Sequence, residues 1–285
     1  MADAISPDVL WPWTALTAVF LVLLAPAGGI PVVARAVVPR EQRAADALER
    51  AASLVALAFT LLAALVALVA ARAPAELVRA LVTVDDVSTA GSVGTKLLAL
   101  HVVLLGAHLA LVGKRRAAAR VVGVLLAATS VALAVAPGAL LAHAWPSILA
   151  NTAGAAALML STALLMGGAA KLALTHLVPG VIEGDSRFPE RATRVMIAVL
   201  VAELVFTVAF SQVPRFDRSP HTFALWRLYG GPGAPVFWPF VVVMGVLVPG
   251  VALWFRAKTK NAALVIAAAA TVGACAMRWL LFTQR

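Results

Sequence analysis

Eight apolar stretches of about 18 to 25 residues run through this chain, at 11–34, 51–71, 94–113, 121–142, 147–170, 195–212, 235–255 and 261–282. At about 1.5 Å of rise per residue, each can cross about 30 Å of hydrocarbon as a helix. Lipid offers the backbone no hydrogen-bond partners, so segments of this kind have to satisfy themselves as helices. The expectation is an all-α integral membrane protein with eight transmembrane helices. With 62% of 285 residues hydrophobic, 13% charged and a mean hydropathy of +0.97, almost nothing remains for a soluble domain. The connections are short, so 1–285 reads as a single transmembrane domain. The first stretch ends in Ala25-Pro26-Ala27, which looks like a signal-peptidase site. Met1 to Leu10 contains Asp3 and Asp8 but no basic residue, so the stretch is expected to stay as the first helix.

A net charge of +10 raises the question of nucleic acid, and the placement of the charges answers it. Fifteen of the 23 Lys and Arg residues lie in the connections after stretches 1, 3, 5 and 7, among them Arg35, Arg50, Arg116, Lys171 and Arg191. By the positive-inside rule that side is cytoplasmic and both termini are extracytoplasmic. The charge is accounted for by topology, with a lipid bilayer as partner and no nucleic acid. The lone cysteine, Cys275, excludes a disulfide within the chain. A chain-borne iron–sulfur cluster, which needs about four thiolates, is excluded with it.

Two outward segments have interfacial character: one around Leu77, Leu81 and Val84, the other carrying Phe223, Trp226 and Tyr229 at helical spacing beside Arg227. Trp11-Pro12 and Trp145-Pro146 open stretches 1 and 5, which both carry a late Gly-Gly (Gly28-Gly29, Gly167-Gly168). This hints at two four-helix halves, 1–143 and 144–285, although glycines also serve simply to let helices approach. Pro249 interrupts the seventh stretch and frees a carbonyl near Gly245, which either a packed neighbour or a polar cavity must satisfy.

Ionisable groups at membrane depth are expensive and therefore informative. His101 and His108 sit seven residues apart on one face of the third helix, with Lys96 five residues before His101. A b-type haem needs two histidines from different helices at matched depth, and His143 is the one available mate for His101, about 10 Å shallower. A single histidine suffices to bond a quinone oxygen. A third reading is a histidine bonded only to a neighbouring helix. Glu203 and Arg278 lie in otherwise apolar helices. In contact they would form a structural pair, and apart they leave Glu203, with His108, as a proton-relay candidate.

The run "YGGPGAPVFWPFVVVMGVLVPGVAL", together with "STAGSVGTKLLAL", Glu203 in "VLVAELVFTV" and Arg278 in "VGACAMRWLLF", resembles the polysulfide reductase membrane-subunit (NrfD/PsrC-like) family over most of the chain. The resemblance implies a haem-free, quinone-interacting anchor. Its electron partner would be an extracytoplasmic ferredoxin-like iron–sulfur protein, often bound to a larger molybdopterin enzyme. It places a menaquinone or ubiquinone near the outer face of the first four helices, where His101, Lys96, Trp11 and Trp13 are available. The implied location is a bacterial or archaeal cytoplasmic membrane. One departure is that the family's Asp-Leu-Gly-Arg-Pro run is replaced here by "LVAARAPAEL", which keeps Arg72 and Pro74 but lacks the acid, so proton pumping has no support. A secondary transporter, suggested by the kinked helix and the repeat, is the alternative class.

Overall fold

The computed structural model describes residues 15–70, 75, 90–144, 153–212, 226–254 and 260–283. These residues form helices, with no strand among them. Eight helices are long and apolar enough to cross a membrane. We label them α1 (Ala15–Ala36), α2 (Gln42–Ala70), α3 (Ala90–Leu111), α4 (Arg116–Ala144), α5 (Ala153–Leu177), α6 (Phe188–Gln212), α7 (Ala234–Trp254) and α8 (Lys260–Thr283). The all-α multi-span architecture expected from the sequence is therefore the one observed.

Four helices extend further at the Arg-rich end than hydropathy indicates. α2 starts at Gln42 rather than 51, α4 at Arg116 rather than 121 and α6 at Phe188 rather than 195, while α5 runs on to Leu177 rather than stopping at 170. Hydropathy stops at the first charge. The helix continues, because long charged side chains can point outward while residues such as Ala44, Ala45 and Leu48 turn inward. Arg35, Arg50, Arg116, Lys171 and Arg191, read as loop residues, are thus helical.

α2 illustrates how lipid inverts side-chain placement. Ala52, Ala56, Thr60, Ala63 and Ala67 face inward at helical spacing, whereas Leu54, Leu61, Leu65 and Leu68 face outward. Small inward residues let backbones approach, and the large aliphatic ones meet acyl chains at no cost.

α1 packs on α2 and α4, α2 on α3, and α3 on α4, which makes one ring of four. α5 packs on α6 and α8, and α7 on α8 and α6, which makes a second. The rings meet where α1 crosses α5, and these two helices each bury 67% of their spans. The crossing is set by glycine. A Cβ on Gly29 would collide with the Ala163 carbonyl, and one on Gly167 with the Gly29 backbone. The paired Gly-Gly motifs thus meet one another.

α7 departs from the α-helix over Phe237–Leu247, which is π-helical, and returns to α at Val248, one residue before the buried Pro249. Gly245 lies against α8, where a Cβ on it would stand 2.9 Å from the Cα of Gly273. The segment around Pro249 is accordingly packed on a neighbour. Ahead of α7, residues 226–229 make one helical turn. Trp226 is exposed there and Leu228 is buried. Tyr229 meets the Phe237 ring edge-on at 4.7 Å, and its carbonyl accepts from Trp238 Nε1 at 2.9 Å. The segment around Leu77 to Val84, and Phe223, lie outside the described residues.

At the Arg-rich end the buried Asp185, in the α5–α6 connection, accepts from the Arg40 backbone N–H at 2.9 Å and from the Arg191 guanidinium. The Arg40 amide, together with the Arg191 charge, holds the Asp185 carboxyl below the usual carboxylate range. Asp185 therefore ties the α1–α2 connection of one ring to the second ring.

Two outcomes follow. Gly29→Ala should cost about 1–3 kcal/mol through overpacking, whereas Gly106→Ala, with nothing within 4 Å of the new methyl group, should be neutral or slightly stabilising. Thermal unfolding in detergent would compare them. Asp185→Asn should lower Tm at pH 7. Because the folded-state pKa is depressed, the charged form's contribution is complete above the unfolded value of about 3.9 and disappears as pH falls through the folded one. The Tm gap to wild type should then close on acidification, and a gap that widened would contradict this account.

Candidate functional site

α1 carries two prolines, Pro26 and Pro31. Neither has an N–H, so the carbonyls four residues earlier, of Val22 and Ala27, lose their helical partners. The helix end leaves further carbonyls open. In lipid such groups require partners from elsewhere in the protein. His101 reaches one freed carbonyl and Lys171 the helix end, while Arg278 bonds a further carbonyl of α1.

His101 on α3 is fully buried, and its Nε2 lies 3.2 Å from the Ala27 carbonyl, the one orphaned by Pro31. This contact fixes the proton on Nε2 and leaves Nδ1 as the unprotonated nitrogen. Nδ1 has no hydrogen-bond partner among the described residues. Arg278 on α8, also fully buried, donates from Nη1 to the Leu21 carbonyl at 2.7 Å, from Nη2 to the Met159 carbonyl at 2.5 Å and from Nε to Thr162 Oγ1 at 3.0 Å. One guanidinium thereby joins α1, α5 and α8. Lys171 on α5 donates to the Val33 and Ala34 carbonyls at 3.2 and 2.5 Å, and to that of Val37, closing the C-terminal end of α1. A cation at a helix C-terminus is also favoured by the helix dipole.

Glu203 on α6 is buried beside Ser161, and its Oε2 has no hydrogen-bond partner among the described residues. It makes no ion pair with Arg278 within 4.0 Å among the described residues, because Arg278 spends its donors on α1 and α5. The two expected pair members therefore share a neighbourhood without touching. Ser161 and Thr162, adjacent on α5, serve one each.

His108, about two turns of helix further towards the Arg-rich end than His101, has its Nδ1 2.9 Å from Ser53 Oγ and its Nε2 3.8 Å from Glu49 Oε2. Glu49 and Ser53 are four residues apart, so both face α3 from α2. Lys96 is half-buried on α3, five residues from His101. Trp11 and Trp13 lie outside the described residues, as does the side chain of His143.

Glu49, Ser53, Lys171 and Thr162 escaped the sequence reading. Glu49 and Lys171 fell beyond the apolar stretches, and the hydroxyl residues carry no hydropathy signal. The spacing of Glu49 and Ser53, once the helix is extended, was the available clue.

Fold and interior together define a multi-pass helical membrane protein with a ladder of polar groups along its first helix. Compared with known proteins, the chain matches no family model and no curated sequence.

Arg278→Met should strand acceptors on α1 and α5 at once and cost about 3 kcal/mol or more. Arg278→Lys, with the charge but not the fork, should recover part of it. Chemical denaturation in mixed micelles reads both, and equal stability of Arg278→Met and wild type would remove the bracing role.

Proposed function

We propose that this chain is a quinone- or quinol-interacting anchor subunit of a respiratory oxidoreductase in a bacterial or archaeal cytoplasmic membrane. In this reading it exchanges electrons with a ferredoxin-like iron–sulfur protein on the extracytoplasmic side, bound in turn to a larger catalytic subunit. The observation that supports it most directly is His101. Its Nε2 is engaged by the Ala27 carbonyl, and its buried Nδ1, without a hydrogen-bond partner among the described residues, would accept a hydrogen bond and a proton from a quinol hydroxyl once the side chains covering it move aside. Its position also suits a ligand dissolved in lipid. α3 has only 17% of its span buried, and Leu100 and Val103 beside His101 are 48% and 65% exposed. Lys96 on the same helix raises the local positive potential, and Trp11 and Trp13, which the sequence resemblance also implies as quinone contacts, lie outside the described residues.

A secondary transporter is the second reading, favoured by buried Glu203, whose Oε2 has no partner among the described residues, and by the π-helical stretch of α7. A b-type cytochrome anchor is the third. It would need a ligand to the haem iron from a histidine whose Nε2 already serves α1.

Gentle purification from the native membrane separates them. The anchor reading expects cluster-bearing companions, labile sulfide, co-purifying quinone and no Soret band from this subunit. In the assembled complex His101→Ala should lower quinol turnover about 100-fold while leaving the partner's reaction with an artificial dye intact. Full turnover in that variant would dismiss His101, and a lone chain without iron or quinone would turn the assignment to transport.

A further inference from the structure

At the Arg-rich end α1, α2, α4 and the turn after α3 line an open cavity of about 310 Å³ whose walls include the chain turns at Pro39 and Gly113, so it lies at the membrane boundary. Glu49 lines it, with 23% of its side chain exposed. A second void of about 10 Å³, the room one water needs, shares Arg35 and Glu49 with the first and reaches Ser53 and His108. His108 is 4% exposed, and its Nε2 points to Glu49 at 3.8 Å without a hydrogen-bond partner among the described residues. The sequence runs from solvent to carboxylate to a one-water gap to imidazole.

Three cations near this pair make their hydrogen bonds elsewhere. Arg35 from α1 lies over Gly123 and donates to the Ala119 carbonyl at 3.3 Å. Arg50 from α2 donates to the Val112 carbonyl at 3.2 Å. Lys171 from α5 serves the end of α1. Arg116 and Arg120 from α4 line the outer cavity, together with Asp46 from α2. Among the described residues Glu49 has no Arg or Lys within 4.0 Å, and its nearest ionisable partner is His108. The Arg35 and Lys171 charges act on Glu49 from further off, and His108 is the group close enough to exchange a proton with it.

We infer that Glu49 and His108 form a proton-binding pair that fills from the Arg-rich end through this cavity. On uptake the proton attaches to His108 Nε2, giving an imidazolium that faces the Glu49 carboxylate. Ser53 accepts from Nδ1–H in that state and fixes the ring. Release reverses the path through Glu49 to the cavity. The site requires neither a quinone nor a partner protein, so it stands whichever functional reading above holds.

The test uses the full chain in lipid nanodiscs with ¹⁵N-histidine. His108 should pass from neutral to imidazolium as the pH is lowered. Glu49→Gln, which keeps the side-chain shape, should lower the midpoint by about one unit, a tenfold loss of proton affinity. The His101 signals should not respond to that substitution. Access is read separately in a Cys275→Ala background: Glu49→Cys should react with an impermeant thiol reagent from the same side as Arg115→Cys. A His108 that stays neutral throughout overturns the proposal, as does a midpoint unmoved by Glu49→Gln or labelling of Glu49→Cys only from the opposite side.

Discussion

A helix with two prolines cannot cross lipid alone. α1 must expose the carbonyls that Pro26 and Pro31 release, and an unpaired carbonyl in hydrocarbon costs several kcal/mol. The donors brought to its backbone come from three different helices: Arg278 from α8, His101 from α3 and Lys171 from α5. In membranes apolar burial gives little reason for one helix to prefer another. Here the preference is set by hydrogen bonds that have only one geometric solution. The placement of α3 beside α1 answers to that requirement and that of α5 to the open end of the helix, while Arg278 ties α8 to α1 through the Leu21 carbonyl.

The glycines act with the polar contacts rather than beside them. Lys171 and Arg278 reach α1 from α5 and α8 at opposite ends, and between them Gly29 and Gly167 remove the side chains that would hold α1 and α5 apart. Close approach shortens the reach each side chain needs. Thr162 contributes twice, accepting from Arg278 Nε and donating to the Met159 carbonyl at 3.0 Å. The polar core is thus continuous from the Leu21 level of α1 to its C-terminal end.

The eight spans were legible because length and hydropathy are local properties, and the cost of a proline in lipid is legible too. What occupies the freed carbonyl is not. Ala27 lies four residues before Pro31 in any reading of the sequence, yet that His101 covers it depends on the relative placement of α1 and α3. Glu203 and Arg278 were picked out for their rarity, but rarity says nothing of distance, and the arginine is drawn to backbone oxygens instead. Glu49 was hidden for a different reason. It precedes the apolar run that hydropathy detects, in a helical extension that faces a cavity rather than lipid. The π-helical stretch of α7 has no local signature either, since its residues read as an ordinary apolar span.

α3 has the smallest buried share of the eight spans and is fastened to its neighbours by two imidazoles at different heights, His101 on α1 and His108 on α2. Such a helix behaves less like a wall than like a stave held by two pegs. Among the eight spans it presents the largest share of its surface to lipid, and the contacts at its two heights fix its depth and its rotation against α1 and α2.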